Sequence, residues 1–187
     1  MRIISGQFRG LGLAAVGKGD PAAHLRPTSD RVREAIFNLL VNGGYGDPVS
    51  GARVLDLFAG TGALGLEALS RGAAHCTFVD SGARSRALIR ANVALTRTEA
   101  AATLLQRDAA KLGPVQGPPF DLVFLDPPYA LGLGEKAVAA ALEGGWCSPG
   151  ALVVWEESVA PHPPPALDPV DQRRYGDTLV SLFRYSR

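Results

Sequence analysis

Cysteine is scarce in this chain: Cys76 and Cys147 are the only two among 187 residues. Two isolated cysteines can build neither a disulfide framework nor a zinc site, so no metal is expected. Both read as buried small hydrophobes of a protein from the reducing cytoplasm. Long apolar runs are missing too, and Met1-Arg2-Ile3-Ile4-Ser5 lacks the shape of a signal peptide, so no membrane partner is expected. Lysine is nearly absent, at 3 against 16 arginines, which genomic base composition can produce. An excess of one charge is lacking as well, the net charge being +1. What is present is ample apolar material, 47% against 20% charged, enough for one ordinary domain and a small appendage.

The charge is unevenly placed. Residues 1–33 hold Arg2, Arg9, Lys18, Arg26, Arg31 and Arg33 against Asp20 and Asp30, a balance of +4, which leaves −3 for the rest. Charge counting alone fits a footprint for phosphates and a solvated surface equally. Alternating apolar residues around Gly10 predict a β-hairpin over 2–16. Thr28-Ser29-Asp30 then offers helix caps before Val32, Ala35, Ile36, Leu39 and Leu40, whose spacing gives an amphipathic helix stopped by Asn42-Gly43-Gly44. We divide the chain into an N-terminal hairpin and helix, 1–44, and a main domain, 45–187.

From residue 53 short apolar strands alternate with helices. Strands are expected at 53–57, 75–79, 102–106, 120–125 and 150–155, and helices at 62–71, 82–96 and 134–144. This pattern predicts an α/β fold: a doubly wound, mostly parallel sheet covered on both faces. Residues 170–175 and 178–185, joined across Gly176-Asp177, predict a C-terminal antiparallel hairpin. The run Pro161-His162-Pro163-Pro164-Pro165 reads as an exposed loop.

Gly60-Thr61-Gly62-Ala63-Leu64-Gly65 follows a predicted strand and opens a predicted helix, the context in which glycines let a backbone approach a nucleotide ligand. Asp80, closing the next strand, can accept the two hydroxyls of a ribose. The glycine pattern alone suits NAD. Asp56 argues against it, because a carboxylate before the loop sits poorly with a pyrophosphate at the helix N-terminus. It suits a cationic cofactor such as S-adenosyl-L-methionine. Asp108 after the third strand can accept from an adenine amino group, with the Ala109 N–H on the ring; taken alone, Asp108 is a helix N-cap.

Asp126-Pro127-Pro128-Tyr129 ends the apolar run Leu122-Val123-Phe124-Leu125. The prolines stiffen the turn, so that the Asp126 carboxylate and the Pro127 carbonyl can converge on the two hydrogens of a planar amino group. Holding both frees the nitrogen lone pair for attack on an electrophilic methyl. Tyr129 can stack on the base that carries the amino group. Such a base must be unpaired or flipped out of a helix.

The motifs Asp56-Leu57-Phe58-Ala59-Gly60-Thr61-Gly62 and Asp126-Pro127-Pro128-Tyr129 resemble those of amino-methyltransferases with the class I methyltransferase (Rossmann-like) fold. Arg2-Ile3-Ile4-Ser5-Gly6 and the segment from Leu25 to Asn38 are similar to the bacterial RsmD family, whose members methylate N2 of a guanine in 16S ribosomal RNA. The resemblance extends over nearly the whole chain. It implies S-adenosyl-L-methionine as cofactor, held by Asp56, Phe58, Gly60, Gly62, Asp80, Asp108 and Ala109, and catalysis at Asp126 to Tyr129. It also implies a partner in 16S RNA or the assembling small subunit, with Arg26 and Thr28 in a segment near the active site. The charge excess next to that segment makes Arg9, Arg31 and Arg33 the expected RNA-docking residues, and the enzyme is expected to be monomeric. Asp80 stands where the family often carries Glu. An amino-methyltransferase acting on DNA adenine or on glutamine, and an inactive RNA-binding assembly factor, are the competing readings.

Overall fold

A computed structural model describes residues 1–15, 28–128 and 131–187; the expected site residues Arg26 and Tyr129 lie outside the described residues. Four strands, β1 (Arg53–Leu57), β2 (His75–Val79), β3 (Ala102–Leu105) and β4 (Phe120–Leu125), run parallel. Helices α2 (Ala63–Ser70) and α3 (Ala83–Thr96) form the first two crossovers. After β4, α4 (Leu133–Glu143) leads to β5 (Cys147–Glu157), parallel to β4. The last two strands, β6 (Leu167–Tyr175) and β7 (Thr178–Tyr185), form the predicted antiparallel hairpin. The sheet order is β3-β2-β1-β4-β5-β7-β6. The chain works outward from β1 to β3 and then returns to β1's other side. At that reversal the strands' C-terminal ends leave a crevice, the usual ligand position in such sheets.

Strand alternation sends side chains to two cores. Val54, Phe78, Leu122, Phe124 and Val154 pack with α1 (Asp30–Asn42) and α2 on one face. Leu55, Leu57, Val123, Leu125 and Trp155 pack with α4 on the other. Helix α1 begins where the sequence predicts, with the Ser29 hydroxyl accepting from Val32 N–H at 3.2 Å, and buries Ile36, Phe37 and Leu40.

The N-terminal hairpin is present but shorter than the sequence predicts. Over residues 1–15 the ladder reduces to one antiparallel bridge, Arg2 to Gly12. The cause lies in where the backbone donors go. Ile4 and Ser5 N–H donate to the Glu67 carboxylate at 2.8 and 3.0 Å, and Phe8 N–H donates to the Ser70 hydroxyl at 3.0 Å. The two arms still bond to each other, Ile3 N–H to the Leu11 carbonyl and Gly10 N–H to the Ile3 carbonyl at 2.9 Å and Leu13 N–H to the Met1 carbonyl at 3.1 Å, but Ile4, Ser5 and Phe8 are bonded to α2. Ile3 and Leu13 join the same apolar cluster as β1 and β4, so the segment is built into the main core.

Candidate active site

Two loops meet at the crevice. Leu57 of β1 lies beside Leu125 of β4, so the loop beginning at Phe58 and the turn beginning at Asp126 leave the sheet side by side. The first loop is tightly wound. Phe58 has φ 58°, Gly60 57° and Gly62 77°. Two glycines adopt this left-handed backbone without cost, whereas Phe58 pays about 1–2 kcal/mol of strain, which is characteristic of a functional turn. Gly65 serves closeness: a Cβ there would stand 2.4 Å from the Phe78 ring and 2.5 Å from the Cys76 sulfur. Its absence lets α2 sit directly on β2.

Asp80 fixes this loop. One carboxylate oxygen accepts from Gly60 N–H at 2.9 Å and the other from Gly82 N–H at 2.8 Å. It remains half-buried at the crevice. Asp108 is the N-cap of a short 3-10 helix, accepting from Ala110 N–H at 2.9 Å, and its neighbour Ala109 is buried. Asp80 and Asp108 therefore follow the C-terminal ends of adjacent strands, β2 and β3.

Asp56 departs from its expected contact with a cationic ligand. Its side chain is 2% exposed and its carboxyl accepts from Gly65 N–H at 3.0 Å. Burial holds it well above the usual carboxylate range, the Gly65 hydrogen bond opposes that, and the charges of Asp126 and Asp80 add to the rise. Asp56 ties α2 to β1 and shapes the loop from beneath.

At the second loop, the Asp126 carboxyl shares the Thr28 hydroxyl with Glu156 of β5, at 3.0 Å and 3.1 Å. Pro127 is buried and Pro128 exposed. Burial pushes Asp126 up to about 7, the Thr28 hydrogen bond opposes this, and the Glu157 charge reinforces it. Burial likewise raises Glu156 well above the carboxylate range, followed by the charge of Asp126; the Thr28 hydrogen bond and Arg33 work the other way. Asp126, Glu156 and Thr28 line a cavity of about 590 Å³, whose rim carries Arg31, Arg174 and Tyr175. That is room for a base and a strongly polar wall to read it.

Sequence reasoning missed Glu156 and the hairpin tip at Arg174 and Tyr175. The signal for Glu156 was an acid closing the apolar run Leu152-Val153-Val154-Trp155. Arg33 is a second correction among the site residues. It is 0% exposed, donates to Asp30 at 2.9 Å and to the Arg2 carbonyl, and lies 3.7 Å from Glu67. A guanidinium enclosed in this way holds α1 against α2 and is out of reach of RNA. Arg9 and Arg31 are exposed. Among the described residues, no group of three or more His, Cys, Asp and Glu is placed to hold a metal, and no helix is long and apolar enough to cross a membrane.

Strand order, switch-point crevice and paired loops define a class I S-adenosylmethionine-dependent methyltransferase. NodS of Bradyrhizobium japonicum, an N-methyltransferase solved with S-adenosyl-L-homocysteine, shares this fold at 15% identity and TM-score 0.63, covering 84% of this chain and 87% of that one. The chain belongs to the RsmD family: the family model described as Conserved hypothetical protein 95 matches residues 1–184. Ribosomal RNA small subunit methyltransferase D of Escherichia coli K12 is 40% identical over 160 residues, 85% of this chain and 75% of that protein. Its namesake in Haemophilus influenzae is 36% identical over 159 residues, 83% and 78%. The solved structure of yhhF from Escherichia coli covers 100% of this chain and 98% of its own at 34% identity and TM-score 0.81.

Proposed function

We propose that this protein, a cytoplasmic monomer, methylates the exocyclic N2 of a guanine in 16S ribosomal RNA, free or within the assembling small subunit. The observation that carries the reading is the Asp126 carboxyl beside the glycine loop, on the wall of a base-sized cavity. The family relatives bear the corresponding name.

The residues fit S-adenosyl-L-methionine, because the left-handed backbone at Phe58, Gly60 and Gly62 winds the loop tightly beside the half-buried Asp80 at the ends of β1 and β2. Asp80 would hold the ribose, and Asp108 with Ala109 the adenine. The cofactor supplies a methyl group made electrophilic by its sulfonium. Asp126 and the Pro127 carbonyl would accept the two amino hydrogens, localise the lone pair and aim it. Positioning and electrostatics then supply most of the rate. The Asp126 carboxylate stands ready for the proton that the methylated nitrogen sheds. Incubating the protein with labelled S-adenosyl-L-methionine and small subunits from a strain lacking it should yield N2-methylguanosine by mass spectrometry. No label, or label on another base, would refute the proposal.

Gly60→Val is expected to abolish cofactor binding while the chain stays folded, since a β-branched residue at φ 57° must rearrange the loop. Calorimetry with S-adenosyl-L-methionine checks it; unchanged affinity in a folded variant would remove the loop from the binding site.

The rate should also depend on pH. Asp126 accepts most strongly, and can take up the shed proton, as a carboxylate, so kcat/KM should fall as pH drops through about 7, where burial has moved its ionisation. Asp56, Glu156, Glu157 and Arg33 are the charged groups acting on this network. A profile flat between pH 6 and 8 would contradict this assignment.

Arg9 and Arg31 should contact phosphates. Replacing both with alanine is expected to weaken RNA binding and to lower the salt slope by about 2, with cofactor affinity unchanged. An unaltered slope would make them ordinary solvated charge.

A further inference from the structure

The shared hydroxyl of Thr28 has a consequence for which base can enter. A hydroxyl has one hydrogen, and here it faces two carboxyl oxygens, of Asp126 at 3.0 Å and Glu156 at 3.1 Å. Thr28 can donate to one of them. The other contact is a hydrogen bond only when that carboxyl carries a proton and donates it to the Thr28 oxygen. In both arrangements the proton lies on the side facing Thr28. The second oxygen of each carboxyl therefore remains an acceptor, and both residues line the cavity.

A wall with two acceptors is complementary to an edge with two adjacent donors. Guanine presents that edge: N1–H beside the N2 amino group. Adenine presents an amino group beside a bare N1 lone pair, as does 2-aminopurine, which keeps the N2 amino group but lacks N1–H. Asp126 meets the amino group in the reading above, and Glu156 is its partner on the neighbouring strand.

We infer that Glu156, held beside Asp126 through Thr28, accepts N1–H of the target base and thereby selects guanine over bases with a ring-nitrogen lone pair at that position. This rests on the proposed function and adds a specificity-determining residue to it. An acceptor facing an acceptor leaves both without a partner in a water-poor site, and that mismatch is the source of discrimination.

The test compares RNA substrates whose target nucleotide is guanosine, 6-thioguanosine (which keeps N1–H but weakens the acceptor at position 6) or 2-aminopurine riboside. The wild-type protein should use 6-thioguanosine nearly as well as guanosine, and 2-aminopurine about ten- to a hundredfold worse in kcat/KM. In Glu156→Gln the amide can turn its NH₂ toward the bare N1, so the guanosine-to-2-aminopurine ratio should fall toward one or reverse. A merely structural role would depress both substrates and leave the ratio where it was, which would overturn the inference. Equal use of guanosine and 2-aminopurine by the wild type would overturn it without any variant, so the test survives a misfolded Glu156→Gln. Failure of the wild type to methylate guanosine at N2 would instead refute the proposed function itself.

Discussion

Replacing Asp126 with alanine should slow methyl transfer by about two to three orders of magnitude, the usual effect of deleting one preorganised hydrogen bond at a reacting group. Cofactor affinity should hardly change, because the cofactor loop is positioned by Asp80 and Asp56, not by Asp126. Removing the carboxyl also deletes one of the two partners of the Thr28 hydroxyl, so Glu156 keeps the other. Single-turnover kinetics at saturating cofactor separate the chemical step from binding. A variant that turns over within a few-fold of the wild type would show that the amino group is held elsewhere.

Glu67→Ala should be the most damaging single change to stability, at about 3–5 kcal/mol. The side chain is 0% exposed and accepts from Ile4 N–H, Ser5 N–H and Arg71 Nε, with Arg33 alongside. Truncation takes one of two carboxylates from the buried Arg33 guanidinium, which keeps Asp30, and leaves two backbone donors without acceptors. Urea unfolding should show a lower midpoint with an unchanged slope. Glu67→Gln should lose less, since its amide oxygen can still serve one of the donors. A loss below about 1 kcal/mol for the alanine variant would mean that apolar packing of Ile3 and Leu13 alone holds the N-terminal segment.

The central strands and their helices were legible because burial on both faces demands unbroken apolar runs, as in Leu122-Val123-Phe124-Leu125. The hairpin's edge strand was legible only in its second half. β6 begins at Leu167, but Asp168, Pro169 and Val170 are exposed, and Pro169 sits at a register shift, so the first half carries no strand pattern. The N-terminal alternation was real, yet the acceptors for Ile4, Ser5 and Phe8 lay more than sixty residues away on α2, which shortens the ladder. Arg33 could have been read correctly: Ile36, Phe37 and Leu40 follow it at helical spacing and are buried on one face. The Thr28, Asp126 and Glu156 cluster could not, since only strand pairing brings Glu156 beside Asp126, and sequence does not state register.

Thr28 belongs to the stretch that leads into α1, two residues before the helix that carries Arg31, yet its hydroxyl rests between the two carboxyls. On the proposed function, RNA docking at Arg31 and the seating of the base are linked through one oxygen atom, and linkage between two binding events is reciprocal. An RNA that pulled on the α1 approach would then act on the carboxyls through Thr28, and a base seated on the carboxyls would steady that approach. Variants along this stretch should therefore fail to separate affinity from turnover. A fragment of RNA too short to reach Arg31 should be a slow substrate even when it saturates the enzyme, because the part that grips and the part that reacts answer to each other.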